Sequence, residues 1–154
     1  MSVLVLRNRQ RTRPVDLRLL RKITNFLFKD ILNQPQYELG IHLVASDEMA
    51  KVNETFLQHS GSTDVITFDY NEAKSKTESH GEIFLSIDDA VKQAKEFRTT
   101  WQSELARYVV HGILHLHGYD DLDSVSRKRM KRVESQTLKR LAKEFPLKQL
   151  QRKL

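Results

Sequence analysis

Histidine and aspartate residues are concentrated in one short stretch, residues 111–121, with the sequence His-Gly-Ile-Leu-His-Leu-His-Gly-Tyr-Asp-Asp. This stretch holds three of the six histidines of the 154-residue chain. His111 and His115 are four residues apart, so on a helix their imidazole rings lie one turn apart on the same face. Two rings placed in this way can reach a single point, and imidazole nitrogen is a common metal ligand. The stretch therefore predicts a metal site.

A third ligand is expected from the residues that follow this helix. Gly118 stands where a helix ends in a left-handed glycine, which lets the chain reverse its direction. Asp121 is ten residues after His111, and this spacing is that of the metzincin zinc ligands, whose third ligand is normally histidine. We therefore predict that His111, His115 and Asp121 bind one metal ion.

Two neighbouring residues have other possible roles. His117 is six residues after His111 and is rotated by about 120° from it around a helix, at roughly 100° per residue. Its ring should therefore point away from the metal site. At the end of the helix, a charged imidazole would be stabilised by the negative end of the helix dipole. Asp120 either orients a ligand histidine or caps the last helix.

The predicted ligands suggest a hydrolytic reaction. Two imidazoles and one carboxylate leave a fourth position open for water, which favours zinc, with nickel or another divalent ion as the alternative. Metal-bound water with a lowered pKa is a nucleophile near neutral pH, and we identify no catalytic residue beyond the ligands that hold it. A zinc peptidase of this type has glutamate directly after the first histidine, where this chain has Gly112, so peptidase activity is disfavoured.

The net charge of +6 favours a polyanionic partner such as nucleic acid. Basic residues are concentrated in two segments, residues 7–22 and 127–143. These segments are either solvated helix faces or a surface that follows phosphates. The chain has no cysteine, which excludes disulfides and sulfur-ligated zinc. It has neither a signal-peptide pattern nor a membrane-spanning one, so we expect a cytoplasmic protein.

Hydrophobic periodicity predicts the elements that position the site. Alternating or β-branched apolar runs predict four strands, near residues 3–6, 39–45, 65–70 and 81–87. Apolar residues every three or four positions predict five helices, at about residues 15–32, from 46, from 86 or 88 to 97, 101–117, and from 123 or 124 to 143. Residues 71–80 are polar and are predicted as a loop.

These elements predict an α/β (α+β) fold with a small mixed sheet of about four strands and about five helices. The metal site would lie at the end of a central helix, the one that carries His111 and His115. We expect a single compact domain over residues 1–154, with a loosely held C-terminal tail from about residue 145 to 154.

The metal-site stretch resembles the signature of the YbeY family of ribosomal-RNA maturation endoribonucleases, roughly His-Gly-x-Leu-His-Leu-x-Gly-Tyr-Asp-His. Other blocks resemble the family in the same order: Thr63-Asp64-Val65-Ile66-Thr67-Phe68, Gly81-Glu82-Ile83, Gln93-Ala94, Glu104-Leu105, and Met130 with Glu134. The resemblance implies a compact α/β fold and a zinc-dependent, single-strand-specific endoribonuclease. Its implied roles are the maturation of ribosomal RNA, notably the 3′ end of the small-subunit RNA, and ribosome quality control. Its implied partners are the small subunit and assembly factors.

Two departures from the family pattern bear on this function. Asp121 stands where the family has its third histidine ligand, and Leu57 stands where it usually has an arginine thought to engage RNA phosphate. Leucine cannot bind phosphate, so Lys51, His59 or a basic residue from elsewhere would have to compensate. The alternatives are therefore a non-catalytic RNA-binding protein of ribosome assembly with a structural metal and, less favoured, a metalloprotease.

Overall fold

A computed structural model describes residues 2–71 and 78–153 of the chain. In this part of the chain, four strands form one sheet: β1 (Val3–Asn8), β2 (Tyr37–Val44), β3 (Val65–Asp69) and β4 (Ser79–Ser86). Their order across the sheet is β1-β2-β4-β3. β1 and β4 both run parallel to β2, whereas β3 is antiparallel to β4. The predicted mixed sheet is therefore confirmed.

The described ranges also contain five α-helices: α1 (Leu17–Phe26), α2 (Ser46–Leu57), α3 (Ile87–Phe97), α4 (Trp101–Leu116) and α5 (Ser124–Glu144). A π-helical turn, Leu27–Ile31, extends α1, and a 3₁₀ turn, Leu147–Leu150, follows α5. In four of these helices, a polar side chain at the N-cap accepts a hydrogen bond from a backbone N–H of the first turn. These N-cap residues are Asp16, Ser86, Thr100 and Asp123. No helix in these ranges is both long enough and apolar enough to cross a membrane.

The two faces of the sheet support two apolar clusters of unequal size. Successive strand residues point to opposite faces, so odd-numbered residues of β2 and β4, such as Ile41 and Ile83, face the larger cluster built with α1, α3, α4 and α5. Val44, Ile66 and Phe84 face the other side, where they pack with Met49 of α2. The larger cluster holds α4 against the sheet.

Helix α4 is the predicted central helix. It packs against β3, β4, α3 and α5, and twelve of its sixteen residues are buried. Gly112 permits this close packing, because a Cβ atom at that position would lie 2.7 Å from Cδ1 of Ile83 in β4. The helix that carries both predicted histidine ligands is therefore fixed directly on the sheet.

Strand β4 begins earlier than predicted. His80 lies within it and is in register with Glu38 of β2, so the loop expected over residues 71–80 is shorter. Polar residues suit this part of the strand because alternate side chains, including the exposed His80, point away from the larger cluster. The rest of the predicted loop, residues 72–77, lies outside the described residues.

The C-terminal segment also differs from the expected loose tail. Leu150 is fully buried, and its carbonyl accepts a 2.8 Å hydrogen bond from the backbone N–H of Asp16. The backbone N–H of Arg152 donates to the carbonyl of Pro14. The 3₁₀ turn brings Leu147 and Leu150, three residues apart, to one side of the segment, where both join the larger apolar cluster. Residues 145–153 are therefore held against the start of α1.

Candidate metal centre

The last two turns of α4 bring the two predicted histidine ligands together. Nε2 of His111 lies 3.2 Å from Nε2 of His115. The two ring planes are inclined at 78° with centroids 4.7 Å apart, and both side chains are partly exposed. The four-residue spacing therefore places two imidazole nitrogens at one point on the helix surface.

A glycine turn brings the predicted third ligand back to this point. Gly118 has a φ of +106°, and the N–H of Tyr119 donates a 3.0 Å hydrogen bond to the carbonyl of Leu114 as the helix ends. Oδ2 of Asp121 then lies 3.9 Å from Nε2 of His115. The candidate ligand atoms of His111, His115 and Asp121 all lie within 4.8 Å of one another.

This donor set fits a divalent metal ion. Two imidazole nitrogens and one carboxylate oxygen are ligands that zinc binds in open, catalytic sites. The same donors also bind other divalent ions. The structure thus brings together the three residues proposed from the sequence, in a geometry that could hold a metal.

His117 and Asp120 lie outside this three-residue cluster. Nδ1 of His117 is 2.9 Å from the side-chain amide of Gln34, which precedes β2. Oδ1 of Asp120 accepts a hydrogen bond from the N–H of Leu122, and α5 is capped by Asp123 instead. In the observed contacts, Asp120 therefore neither orients a ligand histidine nor caps α5.

A carboxylate from α5 orients His111. Oε2 of Glu134 lies 3.0 Å from Nδ1 of His111, and Glu134 is buried. If Nδ1 carries the proton, it donates to Glu134 and leaves Nε2 directed toward His115 and Asp121. Sequence reasoning did not assign this role, although one signal existed: Glu134 is four residues after the inward-facing Met130, on the apolar face of α5.

Arg107 completes a chain of charged groups behind the candidate site. Its Nη1 is 3.4 Å from Oε1 of Glu134, and its Nε is 3.6 Å from Oε2 of the buried Glu104. The guanidinium is therefore shared between two carboxylates. It supports Glu134, and the two carboxylates offset its positive charge.

The two histidines differ in their affinity for a proton. Burial opposes the charged form of His111, but the hydrogen bond with Glu134 and the charges of Glu134, Asp121 and Asp64 outweigh it and raise the pKa of His111. Burial and the adjacent His111 lower the pKa of His115. His115 is thus ready to act as a neutral ligand, whereas a metal ion must compete with a proton at His111.

The three residues lie in the wall of a cavity of about 460 Å³. Asp64, just before β3, and Asp69, at the end of β3, contribute two more carboxylates to this wall. None of the described residues that line the cavity is lysine or arginine. The wall of the cavity therefore carries three carboxylates and two imidazoles.

Leu57, the residue at the second departure from the family pattern, lines the same cavity and is 44% exposed. Lys51 and His59 are also exposed, but neither lines the cavity. The two nearby residues considered as replacements for an arginine at Leu57 are therefore not part of the cavity wall.

Comparison with known proteins assigns the sequence to a family. The family model described as Endoribonuclease YbeY matches residues 5–142. A protein of that name from Malacoplasma penetrans is 36% identical over 125 residues, covering 80% of this chain and 83% of the relative. Another, from Flavobacterium psychrophilum, is 32% identical over 117 residues, covering 75% and 81%.

A solved structure has a similar fold. The solution structure of TM1509 from Thermotoga maritima is similar with a TM-score of 0.68 and 26% sequence identity, covering 92% of this chain and 91% of that one. The family model and the relatives together span most of the chain, including the candidate metal centre. This chain belongs to the YbeY endoribonuclease family.

Proposed function

We propose that this chain is a metal-dependent endoribonuclease that cleaves single-stranded RNA during the maturation of ribosomal RNA. The observation that supports this proposal is the cluster of His111, His115 and Asp121 in the wall of an open cavity, in a member of a family whose relatives are named Endoribonuclease YbeY. By the family resemblance, its substrate would be the 3′ end of the small-subunit RNA, with a further role in ribosome quality control.

One zinc ion is the proposed cofactor, held by His111, His115 and Asp121. The ligand types favour zinc, and another divalent ion is the alternative. When bound, the ion would supply Lewis-acid chemistry by stabilising negative charge that develops on phosphate oxygens and by lowering the pKa of water.

The residues of the chain have separate tasks in this proposal. His115, whose pKa is lowered, offers a neutral nitrogen, whereas Glu134 holds the His111 ring with Nε2 toward the site. Asp121 reaches the same point from the turn after α4 and supplies negative charge. The cavity of about 460 Å³ beside these groups supports access of a substrate to the site.

The proposed cellular setting is the cytoplasm, with ribosomal RNA, the small ribosomal subunit and assembly factors as partners. The net charge of +6 is consistent with binding to a polyanion. We further propose that the whole chain, residues 1–154, acts as one endoribonuclease domain.

The test measures RNA cleavage and metal content on the same preparation. We expect a labelled single-stranded RNA to be cleaved by the metal-loaded protein, cleavage to stop with a chelator, and both metal and cleavage to be lost in His115→Ala. Asp120→Ala is the matched control and should retain both, because Asp120 lies outside the cluster. Circular dichroism would verify that both variants are folded.

Leu57, which stands in the cavity wall where the family usually has an arginine, favours a second candidate, a non-catalytic RNA-binding protein of ribosome assembly with a structural metal. That function predicts RNA binding without cleavage under zinc, manganese, nickel or magnesium. Cleavage that survives both the chelator and His115→Ala would instead show that the activity does not come from this site.

A further inference from the structure

The cavity beside the candidate metal centre is poorly matched to an RNA substrate by charge. Its wall includes Asp64, Asp69 and Asp121, and no lysine or arginine of the described part of the chain. RNA carries a negative charge on every phosphate, so close approach to three carboxylates is unfavourable. A divalent ion would offset only part of this charge. A cation next to the cavity is needed to hold the substrate.

Two arginines contact a candidate ligand or the carboxylate that orients one. Arg107 is the first, but Glu104 and Glu134 share its guanidinium. Arg127 is the second: its Nη1 donates a 3.4 Å hydrogen bond to the backbone carbonyl of Asp121. Arg127 is exposed, and within residues 2–71 and 78–153 it forms no close ion pair, although its charge also acts on the exposed Asp123. Its guanidinium therefore remains accessible to a ligand.

The position of Arg127 on α5 directs it to the side of the metal centre. Arg127 and Glu134 are seven residues apart, so they lie within about 20° of each other around the helix. Glu134 contacts His111, which identifies this side of α5 as the one that faces the site.

Other arginines of α5 are held elsewhere. The guanidinium of Arg129 lies 5.2 Å from the ring centre of Tyr119, and that of Arg140 lies 5.5 Å from the ring centre of Phe26. Arg132, five residues after Arg127, is rotated by about 140° from it and is exposed on another face. Among these arginines of α5, Arg127 is the one that lies on the side of the helix that faces the site.

We propose that Arg127 binds a backbone phosphate of the single-stranded RNA substrate next to the metal centre. This inference rests on the proposed function. A planar guanidinium offers five N–H donors and can bind phosphate with two of them. The hydrogen bond to the backbone carbonyl of Asp121 uses one of these donors and holds the guanidinium beside the turn that carries Asp121. Arg127 thereby supplies a cation beside a cavity whose wall has no lysine or arginine and has Leu57 where the family usually has an arginine.

The test compares Arg127→Gln with Arg132→Gln, which removes the same charge from another face of the same helix. Cleavage of a single-stranded RNA is measured over a range of salt concentrations with zinc-loaded protein, and binding of a fluorescent RNA is measured in parallel.

For Arg127→Gln we expect RNA affinity and kcat/KM to fall about tenfold, mainly through KM. The slope of log affinity against log salt should become shallower by about 0.7, the value for one lost phosphate contact on a single strand. Arg132→Gln should stay within about twofold of the unmodified protein.

Two further measurements separate substrate binding from a structural role. Zinc content should be unchanged in Arg127→Gln, and Leu57→Arg in that background should restore part of the affinity by placing a guanidinium on the same cavity. Loss of zinc in Arg127→Gln would show that the arginine only supports Asp121, and would overturn the proposal. Equal effects of both glutamine variants, or an unchanged salt slope, would overturn it too.

Failure of the proposed function gives a different result. An unmodified protein that binds RNA without cleaving it contradicts the nuclease activity, while the binding data still decide the role of Arg127. An unmodified protein that neither binds nor cleaves RNA contradicts both proposals.

Discussion

The carboxylate of Glu134 lies 3.0 Å from Nδ1 of His111, although the two residues belong to different helices and are 23 positions apart. This contact joins α5 to the metal-binding end of α4. Arg107 supports it from the other side by pairing with Glu134 at 3.4 Å. The candidate metal centre therefore depends on the packing of two helices as well as on the local spacing of its ligands.

Replacement of Glu134 by glutamine should weaken metal binding. The amide keeps the size of the side chain but removes the negative charge that favours the required tautomer of His111. We expect metal affinity to fall by about 10- to 100-fold, the usual range for partners of ligand histidines. Competition with a chromophoric chelator would measure this change. Glu144→Gln, an exposed residue of the same helix, is the control and should leave the affinity unchanged.

The assignment of the third ligand predicts different results at two adjacent aspartates. Asp121→Ala removes one of three proposed ligands, so we expect metal affinity to fall by more than about 100-fold, beyond the range for an outer partner. Asp120→Ala and His117→Ala should each change it by less than about threefold, because neither side chain belongs to the cluster. Isothermal titration with zinc would measure all three. Equal losses in Asp120→Ala and Asp121→Ala would contradict the assignment.

Gly112→Ala should destabilise the fold through Ile83. The added Cβ would lie 2.7 Å from Cδ1 and 2.9 Å from Cγ2 of Ile83, which is fully buried. We expect a loss of about 1–3 kcal/mol in the free energy of unfolding from this overlap, offset by up to about 1 kcal/mol of helix propensity. Urea denaturation would measure it.

A double-mutant cycle provides the control for this overlap. Ile83→Ala removes all three atoms that the new Cβ would meet. Gly112→Ala should therefore cost less stability in the Ile83→Ala background than in the unmodified protein. An additive result would show that the glycine is required for another reason.

Asp88 should make stability depend on pH on the acid side. Its carboxylate accepts hydrogen bonds from Oγ1 of Thr12 at 2.5 Å and from the N–H of Ser46 at 2.6 Å. Burial opposes the charged form, but these bonds outweigh burial and lower the pKa of Asp88. The stabilisation is therefore present above the ordinary aspartate pKa, about 3.9, and is lost as the pH falls through the lower value of the folded state.

Asp88→Asn tests this dependence. We expect the variant to be about 1–3 kcal/mol less stable than the unmodified protein at pH 7, with a smaller difference below about pH 4. Urea denaturation between pH 3 and pH 7 would measure both. The exposed Asp30, changed to asparagine, is the control. A difference that stays constant over this range would contradict the role of the carboxylate charge.

Local sequence determined much of this protein. The four strands, the five helices and the approach of His111, His115 and Asp121 all depend on short-range periodicity and on one glycine turn. The repeat of a helix places residues four apart together, and Gly118 returns the chain, whatever the rest of the fold does. That these three residues bind a metal stays a prediction.

Only the tertiary structure decided what surrounds those ligands. The contact of Glu134 with His111 depends on how α5 packs on α4. The burial of Leu150 depends on where the C-terminal segment meets α1. Such pairs are far apart in the chain, so no spacing rule predicts them. They form because burying the apolar faces of the helices and the sheet fixes the elements in one arrangement.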